Sequence, residues 1–287
     1  MEKAQIGVIG GSGLYHMESL RNAQSTTVTT PFGDPSDQYV IGQIGEKTVA
    51  FLPRHGQGHN LLPTELNFRA NIYGFKKLGI EKIISISAVG SLKKEIAPLD
   101  IVIPHQFFDR TTKRPQTFFG DGIVAHISFA HPICLDLAAI LYNTAKKTDL
   151  NVHRGGTYLN MEGPAFSTQS ESFAYRQWGM DIIGMTNLYE AKLAREAEIC
   201  YATIAMVTDY DCWHPQHDKV TVDMIIKNMI KNTANVKIIL EKAIPRIPLE
   251  RHCPCQNALK DAIITDKKYI PKKTREKLNL IIGKYLN

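Results

Sequence analysis

Two acidic residues two positions apart, Asp209 and Asp211, follow the apolar run 204–207 in the segment Thr208-Asp209-Tyr210-Asp211. On an extended chain, residues i and i+2 point the same way, so this spacing predicts two carboxyl groups facing one spot. If that spot is partly dry, mutual repulsion raises one pKa and leaves a protonated acid beside an ionised acceptor, a pair suited to protonating a leaving group. Two solvated turn aspartates share the spacing, so the pair needs further support. Three segments supply it by offering donors to an anion. Ile9-Gly10-Gly11-Ser12-Gly13-Leu14 follows the opening apolar run, and its glycines let backbone N–H groups approach an oxyanion while Ser12 adds a hydroxyl. Pro53-Arg54-His55-Gly56-Gln57-Gly58-His59 presents a guanidinium able to grip two phosphate oxygens, with His55 and His59 as structural or direct participants. Ser87-Ala88-Val89-Gly90-Ser91-Leu92 ends another apolar run with small residues whose hydroxyl and amide can meet the same anion.

A dinucleotide fingerprint fits poorly, because counting from Gly11 puts His16 where a third small residue must pack helix against strand. A nucleotide P-loop also fails, since no Gly-Lys-Ser/Thr follows. The cradle reads as a site for free phosphate or another small oxyanion.

The elements that must position these segments are legible from periodicity. Apolar, β-branched runs at 6–9, 39–44, 48–52, 83–89, 101–103, 157–161, 181–184 and 200–207 include several that are continuous, which predicts strands buried on both faces. Helical stripes lie between them: Phe68, Ile72 and Phe75 stopping at Gly79, and Leu137, Ile140, Leu141 and Ala145 after Pro132. Thr168 with Glu171 forms a capping box that opens a helix ended by Gly179, and Val222, Ile225, Ile226, Met229 and Val236 mark a long late helix. The pattern predicts an α/β fold, with a largely parallel or mixed sheet flanked by helices in one domain over 1–247. A basic extension over 248–287 packs on that domain or trails from it.

With 287 residues, 44% of them hydrophobic, the chain can bury one sizeable core. Its net charge of +6, from 34 basic and 28 acidic residues, is concentrated in the tail from Lys260 to Lys277. That tail lacks the groove or ribbon of interleaved aromatics that nucleic-acid binding requires, so no nucleic acid is expected. There is no long apolar run and no secretory leader, so neither a membrane nor export is expected, and scattered cysteines fit a cytoplasmic, reducing compartment. Cys253 and Cys255 sit close together in the tail, but with His252 they supply three metal ligands at most. Packing of the tail is expected ahead of a redox or metal role.

Taken in order, Gly-Gly-Ser-Gly-Leu at 10–14, Arg54-His55-Gly56, Ser87-Ala88, residues 160–168, Gly184-Met185-Thr186 and residues 208–213 make the chain resemble the methylthioadenosine phosphorylase family of purine nucleoside phosphorylases, over roughly residues 4 to 247. Residues 108–112 and 194–202 continue the likeness. The resemblance implies a single-domain nucleoside phosphorylase fold, usually a homotrimer or a dimer of trimers with sites near subunit contacts, acting on a nucleoside and inorganic phosphate with no cofactor and no metal. It implies phosphate binding by Ser12, Arg54, His55, Ser87, the Ala88 amide and Thr186. Phe166, Ser167, Asp209 and Asp211 would contact the purine, and Met185 the ribose. Val222, Ile226 and His59 would line the 5′ end, with His126 reaching in from a neighbouring subunit. Adenine presents an N6 amino donor and an N7 that gains a proton as the bond breaks, so an acceptor beside an acid suits a 6-aminopurine better than a 6-oxopurine. The expected reaction is phosphorolysis of 5′-methylthioadenosine, with Asp209 assisting base departure. Other expectations weighed are an adenosine, methylthioinosine or broader purine nucleoside phosphorylase, an idle nucleoside-binding protein and, lower, a nicotinamide oxidoreductase. Ser12 and Ser87 depart from the threonines frequent in the family but keep the hydroxyl.

Overall fold

The computed structural model describes residues 4–215 and 222–286; the side chains of Ser12, Tyr15, Val222 and Met224 lie outside that description. Among the described residues, eleven strands form one mixed sheet: β1 (Ile6–Gly10), β2 (Arg21–Thr26), β3 (Tyr39–Ile44), β4 (Lys47–Pro53), β5 (Lys82–Ser91), β6 (Ile101–Ile103), β7 (Gln106–Arg110), β8 (Val152–Arg154), β9 (Thr157–Met161), β10 (Ile182–Gly184) and β11 (Cys200–Asp209). The main path runs β2-β3-β4-β1-β5-β10-β9-β7, and β11 pairs with β5 and β6, which carries β8. β1, β5 and β11 are buried along nearly their whole length because helices cover both faces of the sheet. Strand β2 (Arg-Asn-Ala-Gln-Ser-Thr) escapes periodicity because it is an almost wholly exposed polar edge strand.

The helices are α1 (Phe68–Lys77), α2 (Leu135–Ala145), α3 (Gln169–Gln177), α4 (Asn187–Glu196), α5 (Val222–Ala243) and α6 (Lys272–Leu286). The capping box that opens α3 is present in both directions, Thr168 accepting from the Glu171 amide and Glu171 from the Thr168 amide. Gly79 follows the end of α1 with φ +83°, the left-handed conformation that stops a helix. Helix α4 has no readable stripe because it buries polar Asn187, Glu190 and Glu196 together with Leu188 and Leu193.

The tail shares the core. Cys253, Cys255, Leu259, Leu278, Ile281 and Ile282 are buried in the same apolar cluster as β1 and β11. Buried Glu198 ties it down, accepting from the Leu259 amide and pairing with Lys284 at 2.6 Å. Among the described residues, no helix is long and apolar enough to cross a membrane.

Candidate active site

The site is built around an opening in the sheet. β5 pairs with β11 along residues 82–90, but on its other side it meets β1 only at 83–85 and β10 only at 90–91. In a strand, N–H and C=O of one residue share a side and successive residues alternate. Ile86 turns its carbonyl to the β1 side, where Arg54 Nη1 donates to it at 2.7 Å, whereas Val89 turns its carbonyl to the β11 side, where Thr208 Oγ1 lies 3.2 Å from it. Ala88, two residues from Ile86, therefore directs its amide into the gap between β1 and β10. Ser87 is buried with Oγ 3.1 Å from Tyr158 Oη, and Thr186 is buried just beyond β10. Thr186 stands at the N-cap of α4 without capping it, its hydroxyl donating to Asn187 Oδ1 at 3.2 Å. The expected roles of the Ser12 and Val222 side chains fall outside the described residues.

The two-pronged grip expected of Arg54 requires a correction. Its guanidinium is buried and clamps Glu190 of α4 with both Nε and Nη2, while Nη2 also donates to Ser85 Oγ at 2.7 Å and lies 3.4 Å from the Ile9 carbonyl. The fork expected to grip two phosphate oxygens is therefore occupied by a carboxylate. Of five N–H donors, the second on Nη1 lacks an acceptor among the described residues. The physical reason is burial: a guanidinium beneath β1 and β5 needs an opposite charge, and Glu190 provides it while accepting also from Ser85 and Tyr201. Burial alone would lower the Arg54 pKa, but Glu190 raises it overall, so the charge stays.

His55 lies beside this pair with Nδ1 2.8 Å from the Leu61 carbonyl and its ring stacked on His59 at 4.3 Å. Burial first, then the positive charge of Arg54, pushes its pKa down to about 4, against the pull of the Leu61 carbonyl. At neutral pH the ring is uncharged. A carbonyl can only accept, so Nδ1 carries the hydrogen and Nε2 is left as an acceptor. His59 is exposed at φ +55°.

At the end of β11 the two acids do meet, by a different route from the one expected. The chain is not extended there: Asp211 has φ +51°, and its amide turns back to donate to Asp209 Oδ1 at 2.8 Å. An aspartate turn, rather than strand alternation, holds them together. Thr208 Oγ1 donates to Asp209 Oδ2 at 2.6 Å. Asp209 and Asp211 are 5% and 4% exposed, so almost no water offsets their charge. Burial raises Asp209 to about 6 against the pull of the Thr208 hydroxyl and the Asp211 amide, the charge of Asp211 adding the smallest contribution. Burial likewise raises Asp211, countered first by the nearby Ser172 hydroxyl. That hydroxyl stops short of full hydrogen-bond geometry, and Asp211 Oδ2 and Ser172 Oγ both lack partners among the described residues.

Gly90 makes room for this corner: a Cβ there would lie 3.0 Å from Asp209 Oδ1, 3.1 Å from Ile183 Cγ2 and 3.5 Å from Asp211 Cβ. Sequence reading missed Ser172, and also Asn228 and Asn232 of α5, which donate to the Thr208 and Val207 carbonyls at 2.7 and 2.9 Å and fasten the end of β11. It also missed Arg114, whose Nε donates to Glu162 at 3.0 Å and whose Nη1 donates to the Met185 carbonyl, fixing the segment that carries Met185. Nothing in their spacing marks these side chains, since each acts across a long sequence separation.

The remaining residues are more scattered. Met185 packs so closely on Gly163 that a Cβ would lie 2.5 Å from its sulfur. Ser167 contacts Met161 and accepts from Cys212 through its carbonyl. Phe166 and Ile226 are exposed. His126 lies apart from the Asp209 corner, lining two cavities of about 630 and 500 Å³ that none of the other expected site residues lines. The count of three metal ligands in the tail is also corrected: His252 is 86% exposed, while Cys134 and Cys200 join Cys253 and Cys255.

Phosphate-type donors at one sheet opening and a protonatable acid pair beside it, on a mixed α/β sheet, define a nucleoside phosphorylase type of protein. Residues 5–245 match the model of the Phosphorylase superfamily, and the chain belongs to that family. The chain is 61% identical over 282 residues to an S-methyl-5′-thioadenosine phosphorylase of Geobacter sulfurreducens, covering 98% of this chain and 99% of the relative. It is 59% identical to the enzyme of that name from Koribacter versatilis, with 99% and 97% covered. A methylthioadenosine phosphorylase from an antarctic soil metagenomic library superposes with a TM-score of 0.93 at 48% identity, over 98% of this chain and 99% of that one. A mutant adenosine/methylthioadenosine phosphorylase from Schistosoma mansoni, solved in complex with methylthioadenosine, superposes with a TM-score of 0.82 at 38% identity, over 90% and 96%.

Proposed function

We propose that this chain cleaves 5′-methylthioadenosine with inorganic phosphate, giving adenine and 5-methylthioribose 1-phosphate. The observation that carries the reading is the buried Asp209–Asp211 corner, in which one carboxyl is raised to about 6 and the other keeps an oxygen without a partner. Asp209 donates to N7 of the departing purine, and Asp211 Oδ2 accepts from the N6 amino group. A 6-oxopurine would set its carbonyl oxygen against the same carboxylate, so methylthioinosine and inosine are disfavoured.

The phosphate occupies the opening beside β5, meeting the Ala88 amide, the Ser12, Ser87 and Thr186 hydroxyls and the free Nη1 hydrogen of Arg54. His55 serves it as an acceptor for a protonated phosphate oxygen. Met185 covers the ribose, and Phe166 and Ser167 flank the base. His59, Val222 and Ile226 border the methylthio end, with His126 contributed by a neighbouring subunit. The glycosidic bond stretches first and N9 takes the bonding pair. A phosphate oxygen then bonds to C1′ from the opposite face while the proton reaches N7. General-acid assistance of this kind is worth about a hundred- to ten-thousandfold in rate. No cofactor enters the scheme.

The discriminating assay is phosphate-dependent base release from methylthioadenosine, adenosine, methylthioinosine and inosine under one set of conditions. Methylthioadenosine is expected to give the highest kcat/KM, and a preference for either oxopurine nucleoside would overturn the assignment. We further propose a homotrimer in the cytoplasm; exposed Phe108, Phe166, Phe173 and Trp178 support an assembly. Light scattering on the eluting protein checks the mass.

A further inference from the structure

The fold brings together four cysteines from three stretches that stand far apart in sequence. Cys134 is the N-cap residue of α2, Cys200 opens β11, Cys253 precedes the short 3-10 turn Pro254–Asn257 and Cys255 lies within it. All four are buried, and their sulfurs lie within 4.8 Å of one another, Cys200 and Cys253 at 3.3 Å. A tetrahedral thiolate site with bonds of about 2.3 Å places its sulfurs about 3.8 Å apart, a value inside that span. Sulfurs this close leave room for one ion and not for a multi-iron cluster, whose thiolates must stand around the cluster itself.

The surroundings suit a charged site. Four thiolates around a divalent ion carry two net negative charges, and Lys82 lies within electrostatic range of Cys200 and Cys253, as does Arg195 of Cys255. The N-terminus of α2, the positive end of its dipole, stands at Cys134. Backbone bonds hold the frame, the Cys134 amide donating to the Tyr201 carbonyl and the Cys200 amide to that of Glu81. Cys134, Cys253 and Cys255 also line the cavity of about 630 Å³, which gives an ion a way in.

We propose that Cys134, Cys200, Cys253 and Cys255 bind a single zinc-class divalent cation that fastens the tail to the first residue of β11 and the start of α2. On binding, four sulfur–hydrogen bonds give way to four metal–sulfur bonds and the protons leave to solvent, so no oxidant or reductant is needed. The ion is structural: four protein ligands close its coordination, and the Asp209 corner does not touch it.

The test uses the full chain purified under reducing conditions with zinc supplied. Elemental analysis is expected to give about one zinc per chain, released stoichiometrically by an organomercurial. Cobalt loading is expected to give the thiolate charge-transfer and visible bands of a tetrahedral sulfur site. Cys255→Ser and Cys134→Ser should each lose the metal and lower Tm, while Cys212→Ser keeps it. Wild-type protein settles the matter even if those variants fail to fold. Metal-free chain with all five thiols titratable after denaturation would show a bare packing cluster, and metal-free chain with fewer would show disulfides. Either result overturns the proposal.

Discussion

Two buried polar centres share strand β11 and differ in how completely they are satisfied. At one, Glu190 accepts from Arg54, Ser85 and Tyr201, and among the described residues only one Arg54 hydrogen is left over. At the other, Asp209 and Asp211 are equally dry, yet they face each other, and an oxygen of Asp211 and the hydroxyl of Ser172 go unpartnered. A closed network holds the fold, whereas an unfinished one waits for groups the protein does not contain. The contrast separates structural charge from chemical charge better than residue type does, since most of the Arg54 fork is spent on Glu190 and one hydrogen is left for the proposed phosphate.

The sharpest way to break this comparison is Asp209→Asn. Loss of the proton donor should reduce kcat for methylthioadenosine by about a hundred- to ten-thousandfold, with Tm close to wild type and phosphate binding retained in calorimetry. Wild-type turnover would show that the corner is not the acid. The largest structural effect is expected from Glu190→Gln, which strands Arg54 without a counter-charge. Breaking a buried pair in this way costs about 3–5 kcal/mol, measurable by urea unfolding, and an unchanged midpoint would mean the network is not closed. Gly90→Ala should press on Asp209 Oδ1 and cut turnover by about ten- to a hundredfold, with a smaller loss of stability.

The pH dependence sharpens the same point. Asp209 must be protonated to donate, so kcat/KM should fall as pH rises through about 6, with an apparent pKa belonging to the pair, and Asp209→Asn should remove that limb. Stability carries the same sign. The native state holds a proton that the unfolded chain has released, so stability should fall from the ordinary carboxylate range up to about 6 and stay level above it. Ser172→Ala is the mildest change: it removes an unpartnered hydroxyl beside Asp211 and should raise KM for the nucleoside a few-fold with kcat nearly kept.

Local pattern made much of this legible. Continuous apolar runs marked β1, β5 and β11, Thr168 and Glu171 marked the start of α3, and Gly79 marked the end of α1. The polar edge strand β2 and helix α4 stayed hidden, because one buries almost nothing and the other buries Asn187, Glu190 and Glu196 on bonds made by distant residues. The two aspartates were found for a reason that proved incomplete: their spacing suggested a shared direction, but a turn at Asp211 supplies it.

By itself, then, the sequence determined which segments carry donors and acids and in what order they leave the strands, because hydrophobic period and turn chemistry are local properties. Tertiary structure decided that Arg54 is consumed by Glu190, that Gly90 leaves space for two carboxyls, and that four cysteines spread from 134 to 255 meet at one point. Those outcomes depend on which strands pair and which side chains lose water together, and no window of neighbouring residues contains that information.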